Sequence, residues 1–162
     1  MKILVDADSC PVPVRETILR AATRTGIRAV FAANRLIPGI GGDGVVMELC
    51  PPGDDSADHR IISLAEAGDL AITRDITLAA RLVEAAITVI DDRGRIFDEE
   101  NIGECLSLKD FMVGLAEYGL GNGRGGSYGK KELKTFADSF DRILSRLIRD
   151  AHSAQGKAPG SA

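Results

Sequence analysis

Short apolar runs alternate with longer amphipathic stretches along this chain of 162 residues. The apolar runs are rich in Val, Ile, Leu and Ala, which predicts buried strands over residues 2–6, 28–33, 45–49, 70–73 and 88–90. Apolar positions at helical spacing predict helices over residues 12–25, 56–67, 76–85 and 131–149. Glycine and proline separate these segments, so the pattern indicates a regular alternation of strands and helices.

Three weaker signals complete this pattern. A turn at Asp91–Gly94 precedes a short extra strand over 95–97. Ser107–Asp110 has the form of a capping box, which predicts a helix from there to about Tyr118. Residues 119–129 contain six glycines in eleven positions, which predicts a flexible loop.

Strands that alternate with helices predict a mainly parallel sheet covered on both faces, a three-layer α/β/α sandwich. The length fits one domain with a single core, and we assign residues 1–150 to it. Residues 151–162 are rich in Ala, Ser, Gly and Pro, which predicts a disordered tail.

The composition is that of a soluble globular protein, with 44% hydrophobic and 27% charged residues. No apolar stretch approaches the roughly 20 residues that a membrane span needs, and the amino terminus lacks the features of a secretion signal. We therefore expect a cytoplasmic protein without a membrane partner. Three widely spaced cysteines and two histidines argue against disulfides and zinc, so any bound metal should have oxygen ligands, which favours Mg²⁺ or Mn²⁺.

Carboxylates follow two of the predicted strands. Asp6 and Asp8 come at the end of the first strand, and Asp75 comes just after the fourth. The carboxyl ends of parallel strands meet at one edge of the sheet, where ligands bind in open α/β folds. Asp55 and Asp58 open the helix that precedes the fourth strand. Acids delivered to one region from distant parts of the chain indicate a divalent metal site.

Each of these acids also has a structural alternative. Asp8 could cap the following helix, and Asp6 could accept hydrogen bonds from nearby backbone amides. Asp55 could be the N-cap of its helix, with Asp58 favoured three residues later by the helix dipole. Asp75 could cap the helix that follows it.

Other candidate residues carry weaker signals. Asp69 starts the fourth strand, at the opposite end of the sheet, so we expect it to be structural. Asp91 and Asp92 form a turn after the fifth strand, where Asp92 could be an outer ligand. Cys10 precedes a helix, but no histidine lies near it in sequence and the nearby Asp8 would raise its pKa. We therefore expect a buried cysteine there, not a nucleophile.

Charge is distributed unevenly along the chain. Residues 1–118 hold 12 basic against 20 acidic residues, whereas residues 119–150 hold seven basic against four acidic. A basic segment beside an acidic site would suit phosphate binding, and a solvated helix face explains the same charges. The candidate phosphate-binding residues of this segment are Arg124, Lys130, Lys131 and Lys134.

Several motifs together resemble the YaiI/YqxD family of bacterial proteins of unknown function. They are Val-Asp-Ala-Asp-Ser-Cys-Pro at 5–11, Ala-Asn at 33–34, Asp-Ser-Ala-Asp at 55–58, and the stretches 68–79, 100–102, 108–112 and 136–144. The resemblance covers about residues 1–148. It implies membership of the PIN-like group, which has an α/β/α sandwich fold and whose characterised members are metal-dependent nucleases.

The resemblance also implies roles for individual acids. Asp6 matches the acid after the first strand, Asp58 the helix acid, and Asp75 the acid after the fourth strand. Asp8 belongs to the family's own motif. Arg74 stands where relatives commonly carry a small residue, which would alter the charge of the site unless its side chain points outward.

The leading hypothesis is a metal-dependent phosphodiesterase, most simply a nuclease acting on RNA or single-stranded nucleic acid. Asp6, Asp58 and Asp75 would be its catalytic acids and, with Asp8, would hold one or two Mg²⁺ or Mn²⁺ ions. Asp55 and Asp92 would be outer ligands. Two alternatives stay open: a non-catalytic module that binds nucleic acid or protein, and a small-molecule phosphatase that uses the same acids.

Overall fold

The computed structural model describes residues 1–53, 55–120 and 127–155. Six strands within these residues are numbered along the chain as β1 (Ile3–Asp6), β2 (Ala29–Ala33), β3 (Val45–Leu49), β4 (Leu70–Ile72), β5 (Thr88–Ile90) and β6 (Ile96–Phe97). They form one sheet in the order β3-β2-β1-β4-β5-β6, in which the first five strands are parallel and β6 runs antiparallel to β5. Each predicted strand is present, with bounds within one residue of the prediction.

The described residues also form five helices, which are α1 (Val12–Thr25), α2 (Ser56–Leu64), α3 (Ile76–Glu84), α4 (Ile102–Glu117) and α5 (Lys130–Gln155). The bounds of α1 agree with the prediction, and Gly26 ends it in the left-handed conformation, at φ 69°, while donating its N–H to the Ala22 carbonyl. None of the helices in these three segments is long and apolar enough to cross a membrane.

Two helices end several residues from the predicted positions. Helix α2 ends at Leu64, before the predicted Ala67, and the Glu66 amide instead donates to the Asp69 carboxylate at 2.9 Å. Helix α5 continues to Gln155, beyond the predicted end and into the predicted tail. Residues 156–162 lie outside the described residues.

The predicted capping box at Ser107–Asp110 is wrong. Helix α4 begins five residues earlier, at Ile102, where the Asp98 carboxylate accepts the amide hydrogens of Glu100 and Asn101. Ser107 lies inside the helix and donates its hydroxyl to the Gly103 carbonyl. A serine with this bond no longer competes for a helix terminus, so the helix passes through it.

Helices cover both faces of the sheet, which confirms the three-layer α/β/α sandwich. On one face, Ile3, Val5 and Phe31 pack in a core with α1 and α5. On the other face, Leu4 and Val30 pack in a core with α2 and α3, to which α4 contributes Cys105. Neighbouring strand residues point to opposite faces, so both faces of each central strand are apolar.

Strand order reverses direction between β1 and β4, since the chain builds the sheet outward from β1 in one direction and then from β4 in the other. Loops leaving the carboxyl ends of two such strands turn to opposite sides and leave a crevice between them. Asp6 ends β1 at this crevice, and Thr73–Asp75 follow β4 at the same place.

Candidate functional site

An open cleft of about 710 Å³ lies over the carboxyl ends of β1 and β4. Five carboxylates, two cations and four other residues line it: Asp6, Asp8, Ser9, Asn34, Asp55, Ala57, Asp58, Arg74, Asp75, Ile76 and Lys109. Four of the acids are the predicted metal ligands, which come from β1, the loop after β1, helix α2 and the start of α3. The tertiary fold therefore brings together acids that are as far as 69 positions apart, Asp6 and Asp75.

Asp6 lies at the base of the cleft and is only 8% exposed. Its Oδ2 accepts hydrogen bonds from the Ser9 hydroxyl at 2.8 Å and from the Thr73 hydroxyl at 3.0 Å. Burial raises the pKa of Asp6, the two hydroxyls oppose that rise, and the charges of Asp8 and Asp75 add to it. The alternative in which Asp6 binds backbone amides is wrong among the described residues, because its partners are both hydroxyls.

The Thr73 hydroxyl links the two central strands. While it donates to Asp6, its oxygen accepts the Asp75 amide hydrogen at 3.0 Å. Thr73 is 2% exposed, so this arrangement is held inside the protein. Both hydroxyls bind Oδ2 of Asp6. The other oxygen, Oδ1, accepts no hydrogen bond from the described residues.

Asp8 does not cap α1, which begins after Pro11 without a side-chain cap. Its Oδ2 instead accepts the Asn34 amide hydrogen at 2.7 Å, and its Oδ1 lies 3.3 Å from the Arg35 Nε. Asn34 also donates its side-chain amide to the Gly53 carbonyl at 3.1 Å. The end of β2 therefore holds both the Asp8 carboxylate and the segment that leads into α2.

Asp55 occupies the N-cap position of α2, but its side chain makes no capping hydrogen bond. Its backbone adopts the left-handed conformation at φ 63°, which Asp tolerates better than most residues. The Asp55 side chain lines the cleft instead. The predicted N-cap position of Asp55 is therefore confirmed, but its side chain does not cap the helix.

Asp58 faces the same cleft from the first turn of α2 and accepts no hydrogen bond within the described residues. Burial raises its pKa to about 6, and the charges of Asp6, Asp75 and Asp55 contribute to the rise. The position of Asp58 in the first turn agrees with the helix-dipole alternative, which lowers a carboxyl pKa. Here burial and like charges outweigh that effect.

Asp75 both caps a helix and lines the cleft, so the two alternatives for this residue do not exclude each other. It caps α3 by accepting the amide hydrogens of Thr77 and Leu78 through Oδ1, at 2.7 and 3.4 Å, and it lines the cleft. The Lys109 ammonium lies 3.2 Å from the same oxygen and donates to the Thr77 hydroxyl at 2.8 Å. Burial opposes ionisation of Asp75, but the Thr77 amide and Lys109 outweigh it and hold the pKa below its usual range.

Arg74 lines the cleft, and its side chain pairs with the buried Asp92. The Arg74 Nε is 3.4 Å from Asp92 Oδ1, while Asp92 Oδ2 has no hydrogen-bond partner in the described structure. Tyr128 donates its hydroxyl to the Asp92 carbonyl at 2.8 Å. Burial raises the pKa of Asp92, and the charge of Arg74 opposes the rise. Asp92, predicted as an outer ligand, therefore touches the cleft only through Arg74.

The remaining predicted residues lie away from the cleft or outside the described residues. Lys130, Lys131 and Lys134 are exposed on the first turns of α5, and Lys134 pairs with Asp138 at 2.6 Å. Arg124 lies outside the described residues. Cys10 is buried, which raises its pKa to about 12, so its thiol is not a nucleophile at neutral pH.

Sequence reasoning missed four residues that shape the cleft: Ser9, Asn34, Thr73 and Lys109. Ser9 and Thr73 could have been proposed as site residues from the sequence, because each lies within three residues of a predicted site acid. For Lys109 the signal was its place in the 108–112 stretch of the family resemblance, but nothing there links it to Asp75, 34 positions away.

The described residues do not form a complete metal-binding site. No three acidic, histidine or cysteine side chains among them are arranged to hold a metal ion. Asp8 and Asp75 are paired with cations, whereas Asp6 and Asp58 have raised pKa values and at least one oxygen without a hydrogen bond.

Comparison with known proteins assigns the chain to a family. A family model described as "Uncharacterized BCR, YaiI/YqxD family" matches residues 4–146, and the chain belongs to this family. A "UPF0178 protein" of Treponema pallidum is 45% identical over 97% of this chain and 89% of its own length. A second, from Myxococcus xanthus, is 44% identical over 92% of this chain and 97% of its own length. No solved structure matches the chain significantly.

Proposed function

We propose that this protein is a metal-dependent phosphodiesterase, and specifically a nuclease that acts on RNA or single-stranded nucleic acid. The observation that carries this proposal is the cleft at the strand-order reversal, in which five carboxylates face two cations. Acids with raised pKa values in an open cleft are typical of functional sites. The proposal agrees with the PIN-like resemblance, and membership of that group is part of it.

The donor set of the cleft fits a hard divalent cation. Mg²⁺ is usually bound by one or two carboxylates together with water and substrate phosphates, so a full protein cage is not required. Asp6 and Asp58 would hold Mg²⁺ or Mn²⁺ in this way, with Asp8 and Asp75 as further ligands. Such an ion supplies an activated water and neutralises phosphate charge when it is bound.

The hydrogen bonds of Asp6 support its role as a ligand. Metal-binding carboxylates are commonly held by outer groups that fix their orientation. The Ser9 and Thr73 hydroxyls both bind Oδ2, which fixes the carboxylate plane and leaves Oδ1 for another partner. Thr73 is thus a positioning residue, since it acts only through Asp6 and the Asp75 amide.

Two cations in the cleft support a phosphate-containing substrate. Lys109 lies at Asp75, and Arg74 lines the cleft while its Nε lies 3.4 Å from Asp92 Oδ1. An arginine oriented in this way can bind two oxygens of one phosphate. An acidic cleft would otherwise repel a polyanion, so these cations are needed for binding.

A cleft of about 710 Å³ is large enough for a nucleotide, so a small-molecule phosphatase remains the second candidate. The openness of the site favours a chain substrate, because a polymer can pass through an open cleft. Lysines at the start of α5 would extend the basic surface beyond the cleft, and this role for Lys130, Lys131 and Lys134 stays a prediction.

The deciding experiment incubates the purified protein with single-stranded RNA, single-stranded DNA, duplexes and free nucleotides in chelator, Mg²⁺ or Mn²⁺. We expect metal-dependent cleavage of the single strands, and a loss of ~100-fold or more in Asp6→Asn. Thr73→Val should lose ~10–100-fold, because an outer group is removed while the ligand remains.

The matched control is Asp141→Asn, which removes an exposed carboxylate paired with Arg24 outside the cleft. It should cleave like the wild type. Cleavage that continues in Asp6→Asn would trace the activity to a contaminant or to another site. Turnover of nucleotides without cleavage of polymers would favour the phosphatase, and binding without turnover would favour a non-catalytic module.

A further inference from the structure

The second half of α4 carries an apolar surface that nothing in the described structure covers. Of the 16 residues of α4, only Cys105 is fully buried. Ten large apolar side chains in the described residues are more than one-third exposed, and six of them fall within 13 positions. We name these six the α4 patch: Leu108, Phe111, Met112, Val113, Tyr118 and Leu120.

The residues of the α4 patch are clustered along the chain, whereas the other exposed apolar residues are isolated in sequence. Leu108, Met112 and Val113 line one groove. The side chains of the patch are between 44% and 82% exposed, and residues 111–116 carry no charge. Gly114 lies in the middle of this run, and a Cβ there would meet no heavy atom within 4 Å. A helix that is apolar around its circumference needs a covering partner in water.

The area of the patch matches one side of a protein interface. With ~200 Å² for a large side chain, the exposed fractions of the six residues correspond to an area on the order of 700 Å². A standard interface takes about 800 Å² from each partner, and patches on monomers are usually smaller than this.

We propose that a second copy of this chain packs on the α4 patch, so that the protein is a two-fold symmetric dimer. A two-fold interface uses the same surface on both copies, and an uncharged apolar run is compatible with itself. Asp110 and Glu117 border the run, and Arg95 and Lys109 line the groove beside it. Two acids and two cations leave no net positive charge to attract nucleic acid or an anionic membrane as the occupant.

The proposed interface borders the cleft. An apolar groove of about 420 Å³ runs along α4 and shares Ile76 and Lys109 with the cleft. Lys109 lies on the same helix as the α4 patch and holds Asp75. A second copy on the patch would therefore fix the helix that supplies this cation.

The test measures the mass of the chain by sedimentation over a wide concentration range. We expect about twice the 17.2 kDa of one chain for the wild type. Phe111→Asp should weaken association by ~30-fold or more, because it places a charge in the centre of the patch. Leu36→Asp is the matched control, since Leu36 is 72% exposed but lies outside the patch, and it should associate like the wild type.

Hydrogen exchange of the wild type at low and high concentration provides a test that needs no variant. The amides of residues 108–120 should exchange more slowly at high concentration. The proposal is overturned by a wild type that stays monomeric at all concentrations, in which case the patch would bind a different protein. It is equally overturned by a Phe111→Asp dimer of wild-type affinity, or by equal weakening in Leu36→Asp.

Discussion

Carboxylates lie at both ends of the central parallel strands, but the donors and cations around them differ between the two ends. At the amino end, Asp69 is 1% exposed and accepts the amide hydrogens of Lys2 and Glu66, at 2.8 and 2.9 Å. The Lys2 ammonium lies 2.7 Å from the same carboxylate. At the carboxyl end, five carboxylates share one cleft that Arg74 and Lys109 also line, and Arg35 pairs with Asp8.

The pKa shifts follow this difference. Burial opposes protonation of Lys2, but its bonds with Asp69 and Glu66 outweigh that effect and raise its pKa. In the cleft, burial raises the pKa of Asp6 and Asp58, and neighbouring carboxylates raise both further. A buried acid with a full set of donors stabilises the fold, whereas a group of acids short of donors is suited to bind a cation.

The largest expected effect is at the amino end. Asp69→Ala leaves two amides without their acceptor and leaves Lys2 with only its exposed partner Glu66. We therefore expect the free energy of unfolding to fall by about 3 kcal/mol. The melting temperature should fall by roughly 6–12 °C. Urea and thermal unfolding measure both quantities. Glu66→Ala, which removes only an exposed partner of Lys2, should lose much less. Equal losses would mean that the two carboxylates are equivalent.

At the carboxyl end, we expect a cation to stabilise the protein. A ligand bound only to the folded state adds about 2.7 kcal/mol at a hundredfold excess over its dissociation constant. Millimolar Mn²⁺ should therefore raise the melting temperature of the wild type. In chelator, Asp6→Asn should melt higher than the wild type, because repulsion with Asp8 and Asp75 is relieved, and it should respond less to Mn²⁺.

The opposite result would change the role of Asp6. If Asp6→Asn melts lower in chelator and responds normally to Mn²⁺, the carboxylate serves mainly to hold the Ser9 and Thr73 hydroxyls. The two ends of the sheet would then use their acids in the same structural way.

A smaller, pH-dependent effect is expected at Asp58. Its pKa is raised from 3.8 to about 6 in the folded protein, so the folded state holds this proton more tightly than the unfolded state. The stabilisation is fully present below the unfolded pKa and is lost as pH rises through the folded pKa. Without metal, Asp58→Asn should thus be more stable than the wild type at pH 7.5 and similar to it at pH 4.

Unfolding in urea at both pH values checks this sign. Asp141→Asn, outside the cleft, is the control for the substitution itself. A gain for Asp58→Asn that is the same at both pH values would contradict the prediction, since relief of charge requires an ionised Asp58.

The smallest expected effect lies outside both ends of the sheet. Lys134 and Asp138 form an exposed pair one helical turn apart, with 77% and 66% of the side chains exposed. Lys134→Ala should change the free energy of unfolding by less than ~0.5 kcal/mol. Urea unfolding measures this value, and a larger loss would mean that α5 depends on the pair. Reduced RNA binding by the same variant would mean that the phosphate-binding surface includes the start of α5.

Local patterns predicted much of the fold. The bounds of the strands were predicted to within one residue. A buried strand in a parallel sheet is an apolar run, which can be recognised without knowing the other elements. The Asp75 cap of α3 was also predicted, since a cap involves amides only two and three residues away. Two of the wrong bounds, at the end of α2 and the start of α4, occur where Asp69 or Asp98 organises the backbone.

By itself, the sequence determined that acids follow the first and fourth strands and that these strands are parallel, since both facts depend on short-range patterns. Only the tertiary structure decided which charges meet. Helix α4 packs on α3 and brings Lys109 to Asp75 across 34 positions, and Arg74 reaches Asp92 behind the cleft. Such pairs depend on how helices pack in three dimensions, and no periodicity along the chain records that packing.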